Sequence, residues 1–393
     1  MLLGLIGKPS VGKSTFFKAA TLAEVEIASY PFTTIKANHG VGYVRVECID
    51  KEFNTQCNPS HGFCVEHNRF VPVDLMDVAG LVPGASEGKG LGNQFLDDLR
   101  KADVFIHIVD ASGKTDETGK PAENYDPCND VRFLEDELNK WYYNIFMKVW
   151  KTFARKTEME KSKFSEAVAK QFSGLRVDEE QVKEVLRKAN LPEKATSWSE
   201  EQIKVFAGEL RKKSKPMIIA ANKCDEGDAK KNIEKMQKEF PDMMIYPCSA
   251  DSELALREAA KADLIDYIPG NSDFTPKGTM NEKQKEALEK IRKNVLEVYG
   301  DTGVQNILNL AVFDLLKYLA IFPAGANKLA DSKGNVLPDC FLLPPGSTAL
   351  DFAFFLHTDF GKGFIKAIDA RSKRALGKDY ALKNRDALEI VTR

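Results

Sequence analysis

A short glycine-rich stretch near the start of the chain has the residue types that hold phosphate groups. It reads G-x-x-x-x-G-K-S and comprises Gly7, Lys8, Pro9, Ser10, Val11, Gly12, Lys13 and Ser14, followed by Thr15. Glycines permit a loop whose N–H groups converge on an anion, and the positive end of the next helix adds to the attraction. The pattern assigns Lys13 to the β- and γ-phosphates and the Ser14 hydroxyl to Mg²⁺. It predicts a nucleoside triphosphate site, with Thr15 included, and leaves the base open.

Three polar motifs further along the chain are predicted to join this loop. They are Asp77-Val78-Ala79-Gly80, Asn222-Lys223-Cys224-Asp225 and Cys248-Ser249-Ala250, and each follows an apolar run. A carboxylate at Asp77 suits Mg²⁺ bound through water, and the N–H of Gly80 suits the γ-phosphate. Ligands of open α/β sheets bind at the carboxyl ends of parallel strands, so the loop and the three motifs fit one site.

Asp225 favours guanine over adenine on chemical grounds. A carboxylate only accepts hydrogen bonds, and guanine presents two donors where adenine presents an acceptor and no amino group. A site built on those bonds rejects adenine because the carboxylate would be left unpaired. Taken alone, residues 222–225 are also compatible with a polar turn after a strand.

These motifs require a sheet in which strands alternate with helices. Val104–Asp110 and Met217–Ala221 are continuous apolar runs, which are typical of parallel strands covered on both faces. Met243–Tyr246 reads as a further strand, and a helix is predicted at Asp228–Phe240. The alternation predicts an α/β fold with a doubly wound, largely parallel sheet.

Residues 111–214 interrupt this alternation and carry helical periodicity instead of strands. Helices are predicted at Glu179–Ala189 and at Glu200–Lys213, the latter capped by Ser199. From about Lys317 the pattern changes to short strands with glycine and proline turns. The predicted domains are therefore 1–110 with 215–316 (including a linker and helices), a helical insertion at 111–214, and a β-rich unit at 317–393.

Three segments resemble a known family. Tyr30-Pro31-Phe32-Thr33-Thr34 and the run Asp77–Arg100 are similar to the two switch regions of Obg/YchF-type P-loop GTPases. Leu343–Phe364 is similar to a TGS domain, a small β-grasp-like module also found in threonyl-tRNA synthetases. The resemblance covers residues 1–110 and 215–393 well and the helical insertion only by position.

The resemblance implies a role for each matching residue. Thr34 would ligate Mg²⁺ beside Ser14, with Thr33 as the alternative, and Lys13, Thr34 and Gly80 would form the catalytic set. Asn222, Lys223 and Asp225 would hold guanine, and Ser249-Ala250 would contact the base through the backbone. YchF proteins commonly depart from N-K-x-D and accept ATP, whereas this sequence keeps N-K-C-D, which favours GTP.

Two residues depart from better-known GTPases. Leu81 stands directly after the D-x-x-G motif, where many GTPases have a glutamine that orients water. Because an apolar side chain cannot orient water by hydrogen bonding, slow intrinsic hydrolysis is expected. Ser10 occupies the position where potassium-activated relatives have asparagine, which weakens the case for a potassium ion.

A cysteine- and histidine-rich stretch is a candidate zinc site. Cys57, His61, Cys64 and His67 lie within eleven residues, and thiolates and imidazoles are preferred zinc ligands. The spacing is tighter than in common zinc motifs, so a polar hairpin with free cysteines is the alternative.

Two basic stretches are candidate contacts for RNA phosphates. Residues 148–170 hold seven Lys or Arg and three Glu, and residues 361–393 hold nine Lys or Arg and four Asp or Glu. Solvated protein surfaces have the same composition. The aromatic residues that accompany the first stretch are predicted to lie in the protein core. His107 and His357 are predicted to have structural roles.

The composition sets the class of protein. The chain has 393 residues, a formal charge of −2 and seven cysteines, and its apolar runs are too short to cross a membrane. We expect a cytoplasmic GTPase switch that acts on the ribosome or RNA, with no membrane or DNA partner. The alternatives are an ATP-using regulatory protein and a nucleotide sensor with negligible turnover.

Overall fold

The computed structural model describes residues 1–21, 39–78, 99–192, 194–325, 330, 336 and 339–393, and every structural statement below refers to these residues. Among them, no helix has both the length and the apolar character needed to span a membrane.

The strands agree closely with the apolar runs of the sequence. The predicted strand at Val104–Asp110 is confirmed residue for residue, and the one predicted at Met217–Ala221 extends by one residue. The strands are β1 (Leu2–Ile6), β2 (His39–Glu47), β3 (Phe63–Val65), β4 (Asn68–Asp77), β5 (Val104–Asp110), β6 (Met217–Asn222), β7 (Met244–Pro247), β8 (Ile265–Asp266), β9 (Thr275–Pro276), β10 (Leu319–Pro323), β11 (Phe341–Leu343), β12 (Phe364–Asp369), β13 (Ala375–Leu376) and β14 (Ala387–Thr392).

Side-chain caps fix the beginnings of several helices. Ser199 accepts a hydrogen bond from Gln202 N, so the predicted cap is confirmed, and Asp178 caps the preceding helix in the same way. The helices are α1 (Lys13–Thr21), α2 (Cys128–Met159), α3 (Phe164–Gln171), α4 (Glu179–Ala189), α5 (Glu200–Ser214), α6 (Ala229–Glu239), α7 (Ala250–Lys261), α8 (Glu282–Ile291), α9 (Val304–Asn309), α10 (Ala349–Leu356) and α11 (Thr358–Lys362).

One compact unit comprises Met1–Ala19, Leu75–Ala255 and Asn281–Val304. Its strands β1, β5, β6 and β7 are parallel neighbours in that order. All seven residues of β5 are buried, as expected for a strand covered on both faces. The parallel α/β fold predicted from the sequence is confirmed. Since the strands point the same way, the segments that follow them meet at one edge of the sheet.

Helices α2 to α5 of this unit pack around a core rich in aromatic rings. Phe146 of α2 stacks on Phe172 with ring centroids 3.9 Å apart, and Trp150 stacks on Trp198 at 5.2 Å. Trp141, Tyr142, Phe146 and Trp150 are all buried, so the prediction that these aromatics form core is confirmed.

The other compact unit comprises Ala20–Asp74, Leu256–Met280 and Gln305–Arg393. Its C-terminal sheet has the strand order β11-β10-β14-β12-β13 and encloses an apolar core that includes Phe352 of α10. In the same unit β3 and β4 form an antiparallel pair. These two units are defined by packing, and the boundaries of the three predicted domains stay predictions.

Candidate functional site

The phosphate-binding pattern forms the turn between β1 and α1. Gly12 has φ +91°, and a Cβ there would lie 2.3 Å from Nδ2 of Asn222, so both the backbone and the close approach require glycine. A Cβ at Gly7 would lie 2.6 Å from the carbonyl oxygen of Ile108. The loop is therefore in close contact with both β5 and the residue that ends β6.

Lys13 and Ser14 open α1, where backbone N–H groups are free to face an anion. The Lys13 ammonium contacts the Asp77 carboxylate at the end of β4, and the Ser14 side chain is exposed. A hydroxyl and a carboxylate are the oxygen donors that Mg²⁺ prefers. The residues present at this end of the loop therefore fit a magnesium ion.

Asn222 connects the phosphate loop to the segment after β7. Its Nδ2 donates to the carbonyl oxygen of Val11 at 2.7 Å, and its Oδ1 accepts from the backbone N–H of Ala250 at 3.0 Å. Asn222 is only 3% exposed, so both bonds lie in a buried setting where an unmade bond is costly. One side chain thus fixes three predicted motifs relative to one another.

Lys223 extends along the same loop. Its Nζ donates to the carbonyl oxygen of Ser10 at 3.0 Å and to Oδ2 of Asp110 at 2.8 Å. Burial raises the pKa of Asp110, but hydrogen bonds from Lys223, Ser112 and Thr115 outweigh it and leave the pKa below its usual range. Asp110 therefore stays ionised and orients Lys223.

Sequence reasoning missed Asp110 as a member of this site. The signal was present, because Asp110 is the polar residue that ends the apolar run VFIHIVD at the carboxyl edge of the sheet. The residue forms part of no motif that was recognised, and only its contact with Lys223 assigns it a role.

The segments for base recognition lie side by side. The backbone N–H of Cys224 donates to the carbonyl oxygen of Cys248 at 3.0 Å, while the next residue, Asp225, is exposed. Ser249 is buried and its hydroxyl donates to the Ser252 hydroxyl at 2.8 Å. The Ser249 side chain is thereby engaged, which leaves backbone groups as its means of contacting a base.

The side chain of Lys8 is engaged outside the phosphate loop. Its ammonium does not face the loop interior but donates to the carbonyl oxygen of Thr115 at 2.9 Å, pairs with Asp130 at 2.8 Å and lies over the ring of Tyr125. Burial raises the pKa of Asp130, although the hydrogen bond and charge of Lys8 act in the opposite direction. Because the Lys8 ammonium is engaged there, only the backbone N–H of Lys8 is available to a phosphate. The pattern G-x-x-x-x-G-K-S does not determine where the side chains of its variable positions point.

His107 is a core histidine, as predicted. Burial, together with the charge of Lys8, lowers the pKa of His107 to about 3. His357 joins α10 to α11, where its Nδ1 accepts a hydrogen bond from the N–H of Asp359 at 3.2 Å. Three further predictions, for Thr33, Thr34 and Gly80, concern residues outside the described ranges.

The cysteine- and histidine-rich stretch has a different arrangement from the predicted one. The side-chain ligand atoms of four residues lie within 4.8 Å of one another, and these residues are Cys48, Asp50, Cys57 and Cys64. Two of them, Cys48 and Asp50, were not in the predicted zinc set. Hydrogen bonds from Cys57 and Cys64 lower the pKa of the Cys48 thiol.

The two histidines of the predicted zinc set lie elsewhere. His67 Nδ1 is 2.9 Å from Asp50 Oδ1, so it contacts the cluster from outside. His61 Nδ1 is 3.1 Å from Asp339 Oδ1 and pairs with the C-terminal region. Of the predicted set, only Cys57 and Cys64 belong to the cluster, while His61 and His67 each contact a carboxylate. The alternative, a hairpin with free cysteines, agrees with the antiparallel pair β3–β4 and with the free thiols.

Comparison with known proteins identifies the family. A family profile described as a 50S ribosome-binding GTPase matches residues 2–140. A second profile, described as an Obg-like GTPase G4 motif-containing domain (YGR210-like), matches residues 220–325. A TGS domain profile matches residues 332–392. A GTP-binding protein of Methanocaldococcus jannaschii is 48% identical over 392 residues, covering 100% of this chain and 99% of that protein. The chain belongs to the Obg-like/YchF family of GTPases.

Two further members extend the comparison. The crystal structure of a GTP-binding protein from Pyrococcus horikoshii superimposes with a TM-score of 0.79 at 41% identity, covering 100% of both chains. The ribosome-binding ATPase YchF of Bacillus subtilis is 27% identical and is covered over 98% of both chains. The predicted resemblance to P-loop GTPases with a C-terminal TGS domain is thus confirmed.

Proposed function

We propose that this Obg-like protein binds GTP with Mg²⁺ and hydrolyses it to GDP and phosphate, as a switch that acts on the ribosome. The observation that carries the proposal is the amide of Asn222, which ties the phosphate loop to the segment that begins at Ala250. Asp225 follows Asn222 by three residues, and its exposed carboxylate is available to a base at the same edge of the sheet.

Catalysis rests on positioning and on neutralising charge. The oxygen of a water molecule attacks the γ-phosphorus, and the bridging oxygen leaves with GDP. Lys13 and the loop N–H groups stabilise the phosphate oxygens. The family resemblance implies that Thr34 ligates Mg²⁺ and that the N–H of Gly80 contacts the γ-phosphate. Bound Mg²⁺ supplies further charge neutralisation, and Ser14, Thr34 and Asp77 are the residues that would hold it.

Base selectivity is tested by exchanging the acceptor at Asp225 for a donor. The wild-type chain is expected to bind GTP and GDP in preference to ATP in fluorescence titrations with Mg²⁺. In Asp225→Asn the new amide N–H has no acceptor in the 2-amino group of guanine but matches the 2-carbonyl of xanthine. We expect affinity for GTP to fall and affinity for xanthosine triphosphate to rise, each by at least tenfold.

A matched control is available one residue away. Glu226 is a carboxylate that pairs with Lys114 at 2.9 Å, and Glu226→Gln also removes one negative charge. This control is expected to leave the preference for guanine unchanged. Equal affinity of the wild-type chain for ATP and GTP would refute the guanine assignment and favour an ATP-using protein, as the name of the B. subtilis relative describes that protein.

Hydrolysis requires a separate measurement because Leu81 replaces the usual water-orienting glutamine. Single-turnover hydrolysis of GTP is expected to be slow for the protein alone and faster with purified ribosomes. A rate that stays at the level of uncatalysed hydrolysis in both conditions would contradict a switch with turnover and favour a nucleotide sensor.

Two basic faces support an RNA-rich partner. On α2, Lys148, Lys151 and Arg155 are exposed at spacings that place them on one helix face. In the other unit, Lys362 and Lys366 are exposed beside the exposed Phe360 and Ile365. Positive charge suits phosphate contacts, and beside Lys362 the exposed ring of Phe360 could also stack on a base. The matching profile is described as a ribosome-binding GTPase, which makes the ribosome our choice.

Co-sedimentation with ribosomes over a range of salt concentrations tests each face separately. We expect Lys148→Glu/Arg155→Glu or Lys362→Glu/Lys366→Glu to weaken binding at least tenfold at low salt. Lys283→Glu/Lys290→Glu is the control, because it reverses two exposed charges of α8 at the same sequence spacing as the first pair. If all three double variants lose binding equally, the effect is net charge and neither face is the ribosome contact.

A further inference from the structure

The segment that connects β2 to β4 buries one carboxylate and two cysteines although it has little regular secondary structure. It contains a single 3₁₀ turn at Ile49–Phe53 and the three-residue strand β3. Even so, Cys48 and Asp50 are fully buried and Cys57 is 6% exposed. Buried thiols grouped around a carboxylate are a common setting for a bound metal, which then contributes to folding stability.

We propose that three thiolates and one carboxylate of this segment bind a single structural Zn²⁺ ion. The ligands are Cys48, Asp50, Cys57 and Cys64. All four ligands belong to the compact unit that contains the C-terminal sheet, and none of them is a residue of the nucleotide site described above.

Two of the six distances between the ligand atoms are close to those of tetrahedral zinc. With Zn–S near 2.3 Å and Zn–O near 2.0 Å, a tetrahedron separates two sulfurs by about 3.8 Å and a sulfur from an oxygen by about 3.5 Å. Here Cys48 Sγ lies 3.5 Å from Cys57 Sγ, and Cys64 Sγ lies 3.7 Å from Asp50 Oδ2. All four ligand atoms lie within 4.8 Å of one another, so movements of the side chains would bring them to one ion.

The carboxylate ligand is already oriented. Its Oδ1 contacts His67 Nδ1 at 2.9 Å, while Oδ2 accepts the N–H of Cys57 at 2.9 Å and faces Cys64. The backbone of His67 is fixed in turn, since its carbonyl oxygen accepts the N–H of Cys48 at 2.7 Å. His67 is thus a positioning residue that holds Asp50 from outside the ligand shell.

A buried cation compensates the charge of the ligands. Three thiolates, one carboxylate and Zn²⁺ together carry a charge of about −2. Arg69 is fully buried, pairs with Cys64 across the two strands, and interacts electrostatically with Cys57 and Cys48. A permanent guanidinium charge at this place stabilises an anionic metal site.

The choice of zinc follows from the ligand types. Thiolates are soft ligands that exclude Mg²⁺ and Ca²⁺, and a tetrahedral arrangement dominated by sulfur selects zinc. A disulfide is the competing outcome, but the seven cysteines are all described and all free thiols. The 3.5 Å between Cys48 and Cys57 sulfurs is also far longer than a disulfide bond of about 2.05 Å.

The ion would order the surface that the C-terminal region contacts. Glu52, next to the ligand Asp50 in the 3₁₀ turn, pairs with Arg371 at 2.5 Å and with Arg385 at 2.7 Å. His61, between two ligands, pairs with Asp339. Without the ion, the turn that presents these partners would lose its internal support.

Metal analysis of the full-length chain tests the proposal. The protein is purified under reducing conditions from zinc-containing medium, and we expect about one zinc per chain by mass spectrometry. Cys64→Ala is expected to lower this below roughly one fifth, and His67→Ala to weaken zinc affinity about 10- to 100-fold. Cys340→Ala is the matched control, because Cys340 is a buried cysteine of the same unit that is not a ligand.

A second measurement remains valid if Cys64→Ala does not fold. The wild-type chain, stripped by a chelator and reloaded with Co²⁺, is expected to show thiolate-to-cobalt charge transfer and the visible bands of tetrahedral cobalt. Absence of zinc and of these bands, a Cys48–Cys57 disulfide in the reduced preparation, or iron in place of zinc would each overturn the proposal. Loss of zinc in Cys340→Ala would overturn the ligand set.

Discussion

The two hydrogen bonds of the Asn222 amide provide a direct test of how the nucleotide site is assembled. In Asn222→Ala the carbonyl oxygen of Val11 and the N–H of Ala250 lose their partner, and both residues are essentially fully buried. Each unsatisfied buried group costs about 1–3 kcal/mol, so the local free energy of unfolding should fall by roughly 2–6 kcal/mol. If binding must restore this order, even 2 kcal/mol weakens GTP affinity roughly 30-fold.

The substitution Asn222→Asp tests the two hydrogen bonds separately. The aspartate still accepts the N–H of Ala250, but it places an oxygen where Nδ2 now lies 2.7 Å from the carbonyl oxygen of Val11. We therefore expect the phosphate loop to loosen while the segment at Ala250 stays ordered. Asn232→Ala is the control, because it removes a single hydrogen bond from α6 to Ala111, at a cost of about 0.5–1.5 kcal/mol.

Hydrogen exchange followed by mass spectrometry is the appropriate assay, because a chain with two compact units need not unfold in one step. Peptides covering residues 7–16 and 248–253 should both exchange faster in Asn222→Ala, and mainly the first in Asn222→Asp. GTP titrations of the same variants give the effect on affinity. If Asn222→Ala changes exchange and affinity no more than Asn232→Ala, the amide does not hold the site together and the reasoning fails.

Other buried groups of the same unit give further predictions. Lys8→Met leaves Asp130 buried without its partner, so urea unfolding should report a loss of about 3–5 kcal/mol that Asp130→Asn in the same chain partly restores; no loss would show that the pair is dispensable. The pKa of His107 is about 3 in the folded protein and about 6.5 when unfolded, so stability is full above pH 6.5 and declines below it. Between pH 7 and 5 the wild-type chain should lose about 2 kcal/mol more than His107→Leu, and parallel pH profiles would contradict this. Phe146→Ala should cost about 3–5 kcal/mol, whereas Met147→Ala, at a side chain 42% exposed, should stay within about 0.5 kcal/mol; similar losses would argue against a packed aromatic core.

Local sequence patterns predicted most of the strands and helices. The apolar run Val104–Asp110 became a strand with the predicted ends, because every residue of a central parallel strand is buried and the run ends at the polar residue Asp110. Helix α5 began where Ser199 predicted, because a capping side chain satisfies the first backbone N–H groups locally. The phosphate loop is local in part, since the positive φ of Gly12 belongs to the turn itself, whereas Gly7 is required by the close approach of Ile108.

Contacts between distant segments could not be predicted in the same way. Lys8 pairs with Asp130 and Lys223 with Asp110, and in both cases the partner is in a segment that no spacing rule connects to the loop. Cys48 and Asp50 join the thiol cluster because β2 ends there and the chain turns back, whereas the compact spacing of the nearby histidines suggested a different set. A motif fixes residue types and spacing, and tertiary packing decides which way each side chain points.

Helix α2 reaches from the nucleotide site to the basic face of the helical region. It has 32 residues, which at 1.5 Å per residue gives a rod about 48 Å long. Near the start of the helix, Asp130 forms an ion pair with Lys8 of the phosphate loop. Toward its far end lie Lys148, Lys151 and Arg155. A tilt of only about 5° at the Asp130 end displaces the tip of such a rod by about 4 Å. Because of this length, a small change in orientation at the phosphate loop would move the basic face of α2 by several ångströms, which is enough to make or break a contact with another molecule.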